Sequence, residues 1–232
     1  MSNYWNGKKV LITGINGFIG GNLAKKLNIL GAEIYGLIRN KKPDTFISYE
    51  NFKSKITLID GELIDKDLLE RIISEENINN VFHLAAQVEV GVGLKNPFLT
   101  FESNIKGTYS LLEAIRLFPD SIESVVIASS DKSYGSYKED EMPYKENYAL
   151  KPFYPYDVSK ACADMIARSY ASDIYNLPIV VTRFSNIYGP GQLNFSAIMP
   201  DAIRSAFGYS DFIPRGDGSQ IRDYIFVEDV VD

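Results

Sequence analysis

Tyr156 and Lys160 stand four residues apart in the run Tyr156-Asp157-Val158-Ser159-Lys160. On a helix that spacing sets both side chains on one face, one turn apart. A free phenol ionises only near pH ~10. A nearby ammonium favours the phenolate, so the pair reads as a tyrosine base usable near neutrality. Taken alone, the same spacing describes a core aromatic beside a solvated lysine. Two further stretches, one on each side of it, give the pair its chemical meaning.

The first lies at the start of the chain. Lys9-Val10-Leu11-Ile12-Thr13 is a short β-rich run, followed at once by Gly14-Ile15-Asn16-Gly17-Phe18-Ile19-Gly20. Residues 22–30 then carry Leu23, Leu27 and Leu30 at helical spacing, and Gly31 is placed to end that helix. A glycine-rich turn thus joins a strand to a helix. Gly14 suits the tight turn, Gly17 lets a pyrophosphate approach the backbone, and Gly20 lets the helix pack closely. The phosphates then sit at the helix N-terminus. The expected dinucleotide-binding residues here are Gly14, Asn16, Gly17, Phe18, Ile19 and Gly20. Residues 33–38 read as the second strand. Ile38 stands where an acid would hold the ribose of NAD, and Arg39 follows it. An arginine there can accommodate the extra phosphate of NADP, so NAD and NADP both stay open.

The remaining elements must position these groups. Residues 41–54 lack a clear period and read as a loop with a helical turn. Residues 56–59 form a third strand, with Asp60-Gly61-Glu62-Leu63 at its C-terminal end, where ligands of open parallel sheets collect. Asp65 caps a helix running to 77. Residues 81–86 form a fourth strand, whose small Ala85 and Ala86 let a flat cofactor lie against the backbone. His83 reads as a core residue with a satisfied ring rather than a catalyst. A long helical pattern covers 97–118, with Asn104 and Gly107 inside it, suited to close packing or to bonding toward the site. Residues 124–129 form a fifth strand that runs into Ser130-Asp131-Lys132. Residues 136–155 read as a polar loop, the helix of Tyr156 continues to about 175, and 177–183 form a sixth strand. A last helix covers about 196–207. Six strands alternating with helices imply an α/β fold with a doubly wound parallel sheet. In that topology Ser130 and Tyr156 face each other across a substrate hydroxyl.

Composition narrows the function classes. The 232 residues are 45% hydrophobic and 23% charged, ordinary for a globular protein, with a net charge of −6. No basic block or stripe points to nucleic acid. One cysteine, Cys162, excludes an internal disulfide, and one histidine with one cysteine cannot build a standard zinc site; no metal is expected. The N-terminus lacks a signal pattern and no apolar stretch is long enough to span a bilayer. A cytoplasmic protein without a membrane partner is the expectation.

The chain resembles the extended short-chain dehydrogenase/reductase family that modifies nucleotide-diphosphate sugars. The motifs are Thr13-Gly14-x-x-Gly17-Phe18-Ile19-Gly20, His83-Leu84-Ala85-Ala86-Gln87, Asn104-x-x-Gly107-Thr108 and Tyr156-x-x-x-Lys160. Two more follow, Arg183-Phe184-Ser185-Asn186-x-Tyr188-Gly189-Pro190-Gly191 and Gly216-x-Gly218-x-Gln220-x-Arg222-Asp223. The resemblance implies a Rossmann-type domain over residues 1–184 and the start of a small substrate-binding region over 185–232. Family members continue past the position of Asp232, so the chain is read as truncated there. The resemblance places Glu62 and Leu63 beside the adenine, and sets Gln87, Asn104, Ser129, Tyr156 and Lys160 about an NAD-type cofactor. It puts Ser130 on the sugar oxygen and Asn186 and Arg222 on the substrate diphosphate. Guanidinium suits that partner, since it pairs bidentately with phosphate. A homodimer through the helices of Asn104 and Tyr156 is implied as well.

Ser130-Asp131-Lys132 resembles the Ser-Asp-Lys of CDP-glucose 4,6-dehydratases and the Thr-Asp-Lys of inverting UDP-N-acetylglucosamine dehydratases. Once carbon 4 of a sugar is a ketone, the carbon 5 proton is acidic. A base then removes it while an acid protonates the departing hydroxyl on carbon 6. Asp131 is the candidate acid, which calls for a raised pKa. Lys132 is the candidate base or enolate stabiliser. Ser130, Tyr156 and Lys160 would perform the oxidation, with Lys160 lowering the phenol's pKa. Two alternatives share much of this set: a nucleotide-sugar epimerase, which needs no acid–base pair for water loss, and a truncated dinucleotide-binding domain without turnover. Val88-Glu89-Val90-Gly91-Val92-Gly93 departs from relatives that place basic residues and a serine against the sugar; the sugar and the nucleotide base stay open.

Overall fold

A computed structural model describes residues 4–40, 45–49, 56–214 and 216–232 of the chain. Among these described residues a main sheet holds six parallel strands: β1 (Lys9–Thr13), β2 (Glu33–Ile38), β3 (Ile56–Asp60), β4 (Asn80–His83), β5 (Ser124–Ala128) and β6 (Ile179–Thr182). Their order is β3-β2-β1-β4-β5-β6. The chain works outward in one direction from β1 and then returns to its other side at β4. Ligands of doubly wound sheets bind at that reversal, outside the strands' C-terminal ends.

Strand alternation distributes the core to both faces. Val10 and Ile12 of β1 join Ile34 and Ile38 of β2 on one face, against Leu23, Ala24 and Leu27 of α1 (Phe18–Ile29). Leu11, Tyr35 and Leu37 point the other way. They meet Leu69, Ile72 and Ile73 of α3 (Lys66–Glu75), after a short α2 (Phe46–Tyr49), and Leu111, Leu112 and Ile115 of α6 (Gly107–Leu117). Each such side chain fully removed from water contributes about 1.5–3 kcal/mol. The expected cap of α3 is present: the Asp65 carboxylate accepts from Leu68 N–H at 3.0 Å.

Several boundaries differ from the sequence reading. The helical pattern over 97–118 is three pieces: α5 (Pro97–Phe101), a π turn (Glu102–Lys106) and α6, preceded by α4 (Val90–Lys95). The π turn is closed by Gly107 N–H bonding to Glu102 O. A π turn adds one residue to a helical turn and often marks a functional site; Asn104 sits inside it. The helix of Tyr156, α7 (Pro155–Tyr170), stops at 170 rather than 175, with Ala171 bonded back to Ala167 O. Residues 131–134, which follow the fifth strand, form a 3₁₀ turn. Beyond α8 (Ile198–Ala206), β8 (Tyr224–Phe226) pairs in parallel with β7 (Asn186–Tyr188) and leads into α9 (Val227–Val231), which packs on α1. Lys26 of α1 pairs with Asp232. The helical turn expected within 41–54 is α2, while residues 41–44 and 50–54 lie outside the described set. Among the described residues no helix is long and apolar enough to cross a membrane.

Candidate active site

The glycine turn lies between β1 and α1, pressed onto the segment that follows β4. Gly14 has φ +77°, and a Cβ there would meet the Ala85 backbone nitrogen at 2.7 Å. Glycine alone satisfies both conditions. A Cβ on Gly20 would lie 2.3 Å from the Gly14 carbonyl, so α1 can start this close to the turn only without one. Gly17 is the N-cap of α1 and is exposed; no side chain caps the helix and no acid occupies its first turn. The orphan amides and the positive end of the helix dipole are thus left for an anion, which fits a pyrophosphate. Asn16, Phe18 and Ile19 are half-buried around it. Ala85, Ala86 and Gln87 run past the turn from β4.

Arg39 and Glu62 are exposed, at the C-terminal ends of β2 and β3, whose last residues Ile38 and Asp60 are in register. Leu63 is half-buried against the start of α6, where a Cβ on Gly107 would meet its side chain at 2.5 Å.

Tyr156 and Lys160 occupy one face of α7, as their spacing predicts. The expected effect of the lysine on the phenol is absent. Burial pushes the Tyr156 phenol up to about 12; the Ser130 hydroxyl against it acts the other way, and the charges of Asp131 and Asp157 add to the rise. Lys160 is buried, and burial brings its ammonium down to about 8. Its Nζ donates to the Ala128 carbonyl at the end of β5, at 2.7 Å. The ammonium is therefore tied to the sheet, and desolvation governs the phenol. Ser129, just after β5, ties α7 and β6 together: its hydroxyl donates to Lys160 O at 3.2 Å and its N–H to Thr182 O at 2.7 Å.

Ser130 caps the 3₁₀ turn Asp131–Tyr134, with Lys132 N–H bonding its Oγ at 3.3 Å. Its hydroxyl donates to Asp131 Oδ1 at 3.1 Å, and Lys132 Nζ pairs with Asp131 Oδ2 at 3.0 Å. Asp131 and Lys132 line an open cleft of about 1330 Å³ together with Tyr134, Tyr144, Arg183 and Arg222. The structure thus brings Asp131, Lys132 and Arg222 to one cavity. Arg222 is exposed, its guanidinium resting on Gln220 Oε1 and Ile221 O. Asn186 is not part of that wall; its side chain donates to Asp223 O at 3.0 Å from β7.

The buried scaffold of the site joins Asn104, expected from the sequence to bond toward the site, to Ser159, Asp164 and Asp157, whose roles only the packing shows. Asn104 places its carboxamide against β4's continuation: Oδ1 accepts from Gln87 N–H at 2.7 Å, and Nδ2 donates to Gln87 O at 3.0 Å and to Ser159 Oγ at 2.8 Å. Ser159 in turn donates to Tyr156 O. Asp164, fully buried on α7, takes a bidentate bond from Arg183, at 2.6 and 3.0 Å. Arg183 also donates to the Tyr134 hydroxyl at 2.8 Å, so α7, β6 and the 3₁₀ turn share one cation. Asp157 is buried beside the catalytic candidates, and burial raises its carboxyl, opposed by Lys132. Its position inside Tyr156-x-x-x-Lys160 was the available signal.

A model of the family described as GDP-mannose 4,6 dehydratase matches residues 11–232. The trifunctional UDP-glucose 4,6-dehydratase/UDP-4-keto-6-deoxy-D-glucose 3,5-epimerase/UDP-4-keto-L-rhamnose-reductase of Arabidopsis thaliana is 34% identical over 97% of this chain, which spans 34% of that protein. An epimerase of Methanothermobacter thermautotrophicus superposes with a TM-score of 0.87 at 29% identity, over 98% of this chain and 66% of that one. The dTDP-glucose 4,6-dehydratase of Bacillus anthracis, solved in complex with NAD, gives 0.83 at 30% identity, over 97% of this chain and 69% of that one.

Proposed function

The chain belongs to the GDP-mannose 4,6-dehydratase family, and on that premise we propose that it carries the catalytic part of an NAD-dependent nucleotide-diphosphate-sugar 4,6-dehydratase. The observation that carries this reading is the Asp131–Lys132 pair. It directly follows Ser130, its charge is felt by the Tyr156 phenol, and it opens on the cleft that Arg222 also lines.

The glycine turn and the uncapped α1 would hold the pyrophosphate, through Gly14, Asn16, Gly17, Phe18, Ile19 and Gly20. Glu62 and Leu63 would flank the adenine, and Ala85, Ala86, Gln87, Asn104 and Ser129 the rest of the cofactor. NAD is the form proposed, in keeping with the complex of the Bacillus relative; the exposed Arg39 leaves room for NADP. When bound, the oxidised nicotinamide would supply the hydride acceptor for oxidation at sugar carbon 4 and the hydride for carbon 6.

The chain's own residues do the proton work. Ser130 holds the oxygen on carbon 4 and Tyr156 takes its proton, with Lys160 binding the nicotinamide ribose. Lys132 removes the carbon 5 proton and Asp131 protonates the departing carbon 6 hydroxyl. Both side chains are partly exposed, so the pair can open toward the sugar; these roles require the pair's proton on the Asp131 carboxyl, which leaves Lys132 as the free amine. General acid–base steps of this kind are worth about 10²–10⁴-fold each. Arg222 and Asn186 would meet the diphosphate from residues 185–232, the start of a substrate-binding region following a cofactor domain over 1–184. The exposed apolar side chains Phe98, Leu99, Tyr109 and Met165 on α5, α6 and α7 support a homodimer through those helices. A cytoplasmic setting completes the reading.

The test is incubation with NAD and a panel of nucleotide-diphosphate hexoses, read by mass. Loss of one water from one of them is expected. Unchanged mass with altered stereochemistry would replace this reading with epimerisation, and cofactor binding without turnover would reduce the chain to a dinucleotide-binding domain.

A further inference from the structure

His83 is fully enclosed at the end of β4, and both of its ring nitrogens are bonded. Nδ1 lies 2.7 Å from Thr13 Oγ1, and Nε2 lies 2.9 Å from Thr108 Oγ1. The direction of these bonds follows from proton counting. A carbonyl only accepts, and Thr108 Oγ1 is 2.6 Å from Asn104 O, so the single hydroxyl proton of Thr108 goes there. Thr108 must then accept from Nε2–H. A neutral imidazole has no second N–H, so Nδ1 accepts the Thr13 hydroxyl proton. Thr13 Oγ1 keeps a lone pair for Ala85 N–H, at 3.2 Å. One directed chain results: Ala85 N–H to Thr13, Thr13 to His83, His83 to Thr108, Thr108 to Asn104 O.

The two ends of this chain are the two halves of the site. Ala85 is the residue that Gly14 touches, next to the dinucleotide turn. Asn104 belongs to the π turn, and its side chain fixes the Gln87 backbone and Ser159, one residue before Lys160. We propose that His83 is a positioning residue that, as the neutral Nε2–H tautomer, sets the spacing between the glycine turn and the helix of Tyr156 and Lys160. A protonated ring would present two donors, reversing the Thr13 bond and leaving the buried Thr13 hydroxyl proton without its acceptor. Burial and the charge of Lys160, the group facing it from α7, both oppose that protonation.

The chain has one histidine, so ¹⁵N labelling of histidine in the 232-residue chain gives one pair of ring signals. The expected result is a protonated Nε2 and an accepting Nδ1, unchanged across the range about pH 6 where an ordinary imidazole titrates. A titrating ring, or a proton on Nδ1, overturns the proposal.

A second arm rests on the dinucleotide reading above and measures NAD affinity. His83→Gln keeps a donor and an acceptor, His83→Leu keeps neither, and Thr108→Val removes the next link. Weakening by about 10-fold is expected for His83→Leu and for Thr108→Val, with most of it recovered in His83→Gln. The double variant should be no worse than either single one, as for residues acting in one network. Wild-type affinity in folded His83→Leu, or effects that multiply, contradicts the proposal; should His83→Leu not fold, Thr108→Val against His83→Gln decides. Failure of the wild-type protein to bind NAD would instead sink the functional reading and leave the tautomer result standing.

Discussion

Lys160 Nζ is bonded to the Ala128 carbonyl at 2.7 Å, so the ammonium one turn from Tyr156 is anchored to the end of β5. Its charge is held in a desolvated place, and the linkage has a definite sign. The folded value, about 8, lies below the ordinary 10.5. Below the folded value both states carry the proton, and the cost of burying the charge is fully present. Between the two values the unfolded chain binds more protons, so stability rises with pH. Denaturant melts of the wild type against Lys160→Met should show the wild type gaining on the variant from pH 8 to 10, by up to about 3 kcal/mol. A gap that stays constant over this range would refute the buried, anchored ammonium.

Tyr156 gives the complementary prediction. With the phenol pushed up to about 12 by burial, the chain alone does not make it a ready base. A cationic nicotinamide ring brought against it would favour the phenolate. The ultraviolet difference between wild type and Tyr156→Phe should show no tyrosinate below about pH 10 without dinucleotide, and a transition at lower pH once NAD is added. Ionisation at or below the ordinary phenol range in the free protein would contradict the structure.

Asp131→Asn should separate the two halves of the proposed reaction. The amide keeps the shape beside Ser130 but cannot give a proton to the departing hydroxyl. Oxidation at carbon 4, followed as transient reduced cofactor, should continue while water loss slows by about 10²-fold or more. Equal loss of both would remove Asp131 from the role of acid.

The Asp164–Arg183 pair predicts a stability effect away from the chemistry. Asp164 is fully buried and Arg183 nearly so. Removing one partner leaves an uncompensated charge, worth about 3–5 kcal/mol. Asp164→Ala should lower stability by that order in equilibrium unfolding, and Arg183→Leu should do likewise. A double Asp164→Leu/Arg183→Leu variant should recover part of the loss; no recovery would mean that the pair acts chiefly through the bonds that Arg183 donates to the Tyr134 hydroxyl and, at 2.9 Å, to Glu146 O.

Much of the fold is legible in the residues because it rests on local periodicity. Alternating apolar residues give the buried strands, and Gly14, Gly17 and Gly20 mark a turn that needs glycine at 14 and at 20. The four-residue step from Tyr156 to Lys160 is a helical fact and holds. What escaped reading is tertiary or nearly silent in pattern. A π turn shifts a helix by one residue and leaves the apolar period of 97–118 almost unchanged. The pairing of β7 with β8 spans three residues at each end, too few for a pattern. Electrostatics escaped for a different reason. The sequence puts Lys160 near Tyr156, but only packing shows that its Nζ turns to Ala128 and that burial governs the phenol. His83 was readable as a core residue, whereas its place between Thr13 and Thr108 required the sheet to bring them together.

The central claim is tested most directly with nucleotide-diphosphate hexoses carrying deuterium on carbon 4, incubated with the protein and NAD. A 4,6-dehydratase should release a product lighter by one water with the deuterium moved to carbon 6 and a solvent hydrogen at carbon 5. Deuterium retained on carbon 4, at unchanged mass, would contradict it.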